Sequence, residues 1–91
     1  MKKILYLPLK KEWYEMIESG VKTEEYREIN AYWSSRLMFK GLTHVKFSYG
    51  YTKRTMTFEI ERITIGAGNP KWGAPTEFVF IIKLGKRIKQ N

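Results

Sequence analysis

Apolar and polar residues along the chain change period several times, and each change predicts an element. Lys3 to Leu7 is a short apolar run closed by Pro8, as expected of a strand. From about Lys10 to Ser19 the period becomes helical. Trp13, Met16 and Ile17 fall at i, i+3 and i+4, while Lys11, Glu12, Glu15 and Glu18 take the other face. That spacing places Trp13 in the core, and Gly20 stands where a helix commonly stops. Lys22 to Ile29 reads as a second strand, and Asn30 can cap a short helix through Ala31 to Leu37.

The rest of the chain is β-rich. Val45, Phe47 and Tyr49 alternate with Lys46 and Ser48, and Met56, Phe58 and Ile60 alternate after Gly50-Tyr51-Thr52-Lys53-Arg54, which predicts a hairpin with a basic tip. Ile63 and Ile65 are out of phase with Ile60, the mark of a bulge near Glu61-Arg62. Phe78 to Ile82 is apolar on both faces and predicts a doubly covered strand. The segment from Gly66 to Pro75 holds three glycines and two prolines and is a loop by composition. Together these predict a single α+β domain over residues 1–91. Its expected form is a small mixed β-barrel of about five strands, with one amphipathic helix and a short second helix.

Composition narrows the classes of function. With 43% hydrophobic residues and 15% aromatic, 91 residues can build one core. Without cysteine there is no disulfide, thiolate metal site or cysteine nucleophile, and a cytoplasmic location is the default. The opening Met1-Lys2-Lys3-Ile4-Leu5-Tyr6-Leu7 starts like a secretion signal, but Pro8 and Lys10-Lys11-Glu12 cut it short. No stretch is long enough to span a membrane, so no membrane partner is expected. His44 is the only histidine and there is no aspartate, which excludes a multi-histidine metal centre and a Ser-His-Asp triad. Neither a metal nor a cofactor is expected.

Charge adds a partner class. Residues 1–30 carry six basic and six acidic side chains, whereas residues 31–91 carry eleven basic and three acidic, so the whole excess of +8 lies in the second part. Such a surface attracts polyanions. Part of it belongs to the terminal run of Lys83, Lys86, Arg87 and Lys89.

The densest chemistry lies at Gly20-Val21-Lys22-Thr23-Glu24-Glu25-Tyr26-Arg27. In an extended chain Lys22 shares a face with Glu24 and Tyr26, while Thr23, Glu25 and Arg27 share the other. Glu25 and Arg27 can therefore pair, and Lys22 reaches the same cavity only by swinging over an edge. Just beyond, Tyr32, Trp33 and Arg36 offer an aromatic plane and a cation, and a buried helical plug is the competing role for Trp33 and Leu37. Lys71 and Trp72 in the glycine-rich loop could close over a nucleotide, or Trp72 could tuck back onto the barrel.

Read as G-x-K-x-x-E-x-R, with Gly20, Lys22, Glu25 and Arg27 at the fixed positions, this block resembles the signature of the ASCH family, small proteins with a PUA-like β-barrel. The resemblance implies RNA or nucleotide recognition, and in some members hydrolysis of a modified nucleoside or cleavage of RNA. In the hydrolytic members it implies a lysine, a hydroxyl residue three positions on and a later glutamate. Lys22 matches the lysine, but Glu25 stands in the place of the hydroxyl residue. The expectation is thus a monomeric RNA- or nucleotide-binding module using Lys22, Arg27, Tyr32, Trp33, Arg36, Lys53, Arg54, Lys71 and Trp72. The alternative is a small hydrolase of an N4-acylcytidine-like modified pyrimidine nucleoside, or a ribonuclease. It would use Lys22 as base or nucleophile, Glu25 as proton partner and Thr23 as a nearby hydroxyl.

Overall fold

A computed structural model describes residues 2–38 and 41–89. Along the chain run β1 (Ile4–Leu9), α1 (Lys11–Glu18), β2 (Glu24–Arg27), α2 (Ala31–Leu37), β3 (His44–Tyr49), β4 (Thr55–Gly66), a 3-10 turn (Pro70–Trp72) and β5 (Val79–Ile88). The five strands form one mixed sheet in the order β1-β3-β4-β5-β2. β1 runs parallel to β3, and the other neighbours are antiparallel. The sheet curls into a half-barrel. Its ladder shifts register between Phe58 and Ile60 and again before Arg62, where the phase break in the sequence predicted a bulge. No ladder among the described residues joins β1 to β2, so an open seam separates these two edges.

The main core fills the concave face: Leu5, Leu7 and Leu9 of β1, Tyr14 and Ile17 of α1, Leu37 of α2, and Val45, Phe47, Met56, Phe80 and Ile82 of the inner strands. A second, smaller cluster of Tyr26, Ala74 and Val79 lies outside β5. β5 is therefore covered on both faces, as its unbroken apolar run predicted, although Phe78 precedes the strand and is exposed.

Two expectations from the sequence are corrected. Pro8 does not end β1, which continues to Leu9. The carbonyls of Lys3 and Leu9 accept bonds from the β3 side, so odd positions face β3 and the Pro8 nitrogen faces the free edge, where no N–H is needed. Trp13 is not a core residue. Only Tyr14 and Ile17 of α1 are buried, and Trp13 is half-buried at the seam.

Local signals set the helix ends. Gly20, at φ +87°, takes the left-handed turn after α1, and its N–H donates to the Ile17 carbonyl. At α2 the Asn30 side chain accepts from the Trp33 N–H at 2.8 Å. Asn30→Ala is expected to cost about 1 kcal/mol of stability in chemical denaturation, the ordinary loss for such a cap.

Candidate functional site

The two cations of the sequence block meet at the free edge of β2. In the β2–β5 ladder the Leu84 N–H donates to the Thr23 carbonyl, so odd positions of β2 face β5 and the carbonyls of Glu24 and Tyr26 face the seam. Both are occupied by side chains: Lys22 Nζ donates to the Glu24 carbonyl at 2.5 Å, and Arg27 Nη1 donates to the Tyr26 carbonyl at 2.6 Å. Glu25 lies between the two cations. Its Oε1 is 3.0 Å from Lys22 Nζ, and its Oε2 accepts from Arg27 Nη1.

Lys22 reaches Glu25 because β2 starts only at Glu24, so strand alternation does not apply to Lys22. Its N–H donates to the Met16 carbonyl, holding this connection against α1. The residue is 1% exposed and Glu25 is 6% exposed, so this is a buried ionic group. Lys22 Nζ also lies 4.6 Å from the Tyr26 ring centre and 5.8 Å from that of Trp13. Burial pushes the Lys22 pKa below its ordinary value, and the attraction and hydrogen bond of Glu25 work against that shift.

Above this group is a cavity of about 240 Å³ in the seam between β1 and β2. Pro8 and Leu9 form one wall, Glu25, Tyr26 and Arg27 the opposite wall, and Lys10, Trp13, Trp72 and Gly73 complete the rim. The glycine-rich loop is seated there by specific contacts. The Asn69 N–H donates to the Tyr26 hydroxyl at 3.0 Å, and the Asn69 side chain caps the turn that carries Trp72. A Cβ at Gly68 would lie 2.5 Å from the Ala74 Cβ and 2.9 Å from the Tyr26 ring, so only glycine allows this approach. The backbone at Gly73 rests against the Trp13 indole in the same way.

Arg27 is oriented from three sides: by Glu25, by the Tyr26 carbonyl and by the face of Trp33, 5.2 Å from its guanidinium carbon. Both hydrogen bonds come from Nη1. Among the described residues Nε and Nη2 have no partner, which leaves donors for a ligand. Glu24 accepts from the Tyr26 hydroxyl at 2.8 Å, so Lys10, Lys22 and Arg27 stand against Glu24 and Glu25, and the local charge remains positive in sum.

No family model, curated protein or solved structure matches this chain. The chemistry of the cleft therefore rests on its own geometry.

Of the residues singled out in the sequence, Glu25, Arg27 and Trp72 line the cleft. Lys22 lies beneath it, bonded to Glu25, and Trp33 stands behind Arg27 and packs on the core. Thr23 is exposed, with its carbonyl in the β5 ladder. Tyr32 is exposed at the start of α2, edge-on to Trp33, and Arg36 lies over its ring at 3.6 Å. Lys71 is exposed next to Trp72. Lys53 and Arg54 belong to the β3–β4 tip, and Arg54 pairs with Glu18 at 2.8 Å across the rings of Tyr14 and Tyr49.

Lys10, Trp13 and Tyr26 were not legible as cleft residues. A half-buried tryptophan at helical spacing looks like any core position, and only the closing of the loop on its edge reveals it. Among the described residues no acidic or histidine cluster could hold a metal ion, and no helix is long and apolar enough to cross a membrane.

Proposed function

We propose that the chain is an ASCH-type module of PUA-like architecture that binds RNA or a nucleotide in the seam between β1 and β2. One observation carries the reading: two tryptophans and a fixed arginine with unused donors converge on a single positively charged cavity. Stacking on aromatic faces and charge-assisted hydrogen bonds from a guanidinium are what a base and its phosphate need. At about 240 Å³ the cavity is just below the roughly 300–1,000 Å³ of pockets that enclose drug-sized ligands, which suits one base or nucleoside.

The test is quenching of tryptophan fluorescence by nucleoside monophosphates and short single-stranded RNA. Arg27→Ala and Trp72→Ala are each expected to weaken binding about tenfold with the fold intact, and salt to weaken it further. Unchanged binding in both variants would overturn the reading.

A second reading, hydrolysis of an acylated pyrimidine nucleoside, is favoured by one observation, the lowered pKa of Lys22 against Glu25. It requires Lys22 to come out from beneath Glu25 when substrate binds. Release of cytidine from an acylated cytidine, lost in Lys22→Met, supports it, and absence of turnover in the unaltered protein ends it.

A further inference from the structure

The outer face of the sheet carries a second cavity, of about 300 Å³, that meets the cleft at Pro8. Register explains its make-up. Tyr6 pairs with Lys46, and Pro8 with Ser48, which in turn pairs with Thr55, so these side chains form two rows on the convex side of β1, β3 and β4. Tyr51, on the β3–β4 tip, completes it. Tyr6 is 66% exposed and Tyr51 96% exposed, an unusual cost for two aromatic rings that border one hollow. Among the described residues no acidic side chain lines this hollow, and Lys46 does. Pro8 is the shared wall. A ligand leaving the cleft over Pro8 enters the hollow that both tyrosines border.

We infer that the Tyr6–Tyr51 face is a stacking subsite for the nucleotide next to the one held in the cleft, so that the ligand is a segment of single-stranded RNA rather than a free nucleoside. The inference rests on the reading of the cleft given above. Each base offers a face to a tyrosine ring whatever its identity, and Lys46, paired with Tyr6 in the ladder, lines the same hollow and can meet the connecting phosphate. Charge favours this occupant locally, since Lys46 lines the hollow and Lys53 lies exposed two positions from Tyr51 in the same tip, with no acidic side chain among the described residues of the lining. Pro8, lacking an N–H, presents a smooth apolar ridge over which the strand can bend from one hollow into the other.

The experiment compares binding of the four nucleoside 5′-monophosphates with binding of the four homohexameric RNAs, in the unaltered protein, in the double variant Tyr6→Ala/Tyr51→Ala, and in Trp72→Ala. Both tyrosines are exposed, so the double variant is expected to fold, as circular dichroism can verify. The best hexamer is expected to bind about tenfold tighter than its monophosphate, and the double variant to lose that advantage while keeping its affinity for the monophosphate. Trp72→Ala is expected to weaken both ligands. Equal affinity for hexamer and monophosphate, or a hexamer advantage that survives in the double variant, overturns the subsite while leaving the cleft reading standing. No binding of either ligand to the unaltered protein overturns the cleft reading and the subsite with it.

Discussion

Glu25→Ala is expected to lower the free energy of unfolding by about 3–5 kcal/mol, the usual cost of removing one partner from a buried ionic group. Glu25 is the carboxylate that pairs with both Lys22 and Arg27, its two oxygens divided between them. Taking it away leaves the Lys22 ammonium, whose side chain is wholly shielded from solvent, facing a guanidinium with only the weaker attraction of Glu24 to offset it. Lys22→Met is expected to cost less. In that variant Glu25 keeps its bond to Arg27, and a flexible apolar side chain of similar length fills the space between Trp13 and Tyr26. Urea denaturation of the two variants checks the order. Loss of less than about 1 kcal/mol in Glu25→Ala would mean that the group is not a buried unit.

Alkaline pH provides the second large effect. The Tyr26 pKa is pushed up to about 12, first by burial, and further by the hydrogen bond to Glu24 and the nearby carboxylates, with the Asn69 N–H opposing. The unfolded chain loses this proton near pH 10, whereas the folded chain holds it to about 12. The resulting stability is complete below pH 10 and is lost as pH rises through 12. Two pKa units correspond to about 2–3 kcal/mol. Lys22 acts in the opposite sense, because a lowered folded pKa makes stability rise with pH up to its ordinary value of 10.5. Tyr26→Phe removes only the tyrosine contribution. The difference in stability between the unaltered protein and Tyr26→Phe is therefore expected to fall by about 2–3 kcal/mol between pH 9 and pH 12 in urea denaturation, and a constant difference would contradict the assignment.

Much of the fold could be read from periodicity. The α2 helix with its Asn30 cap, β3, the hairpin and the bulge in β4 follow from local signals that tertiary packing had no reason to override. Pro8 misled because edge strands tolerate proline, and edge position is a property of the sheet, invisible in the run Lys3 to Leu7. The site was legible in part for a similar reason. Pairing of Glu25 with Arg27 follows from two-residue alternation, but the place of Lys22 depends on β2 starting two residues later than the pattern suggests. Trp13 and Tyr26 join the cleft only through the loop from Gly66 to Pro75, whose closure depends on the missing side chain at Gly68. Basic residues were the weakest guide. Arg54 looked like a free cation on a hairpin tip, yet Glu18, thirty-six positions away, pairs with it.

Proton–nitrogen NMR during titration with a nucleoside monophosphate tests the central claim most directly, because the three indole N–H groups and the backbone amides report each wall of the cleft separately. The indoles of Trp13 and Trp72 and the amides of Leu9, Tyr26 and Arg27 are expected to shift together, along one saturating curve, while Lys86 and Arg87 at the far end of β5 stay still. Shifts confined to the basic terminal run, with the indoles of Trp13 and Trp72 unmoved, would contradict a nucleotide-binding seam between β1 and β2.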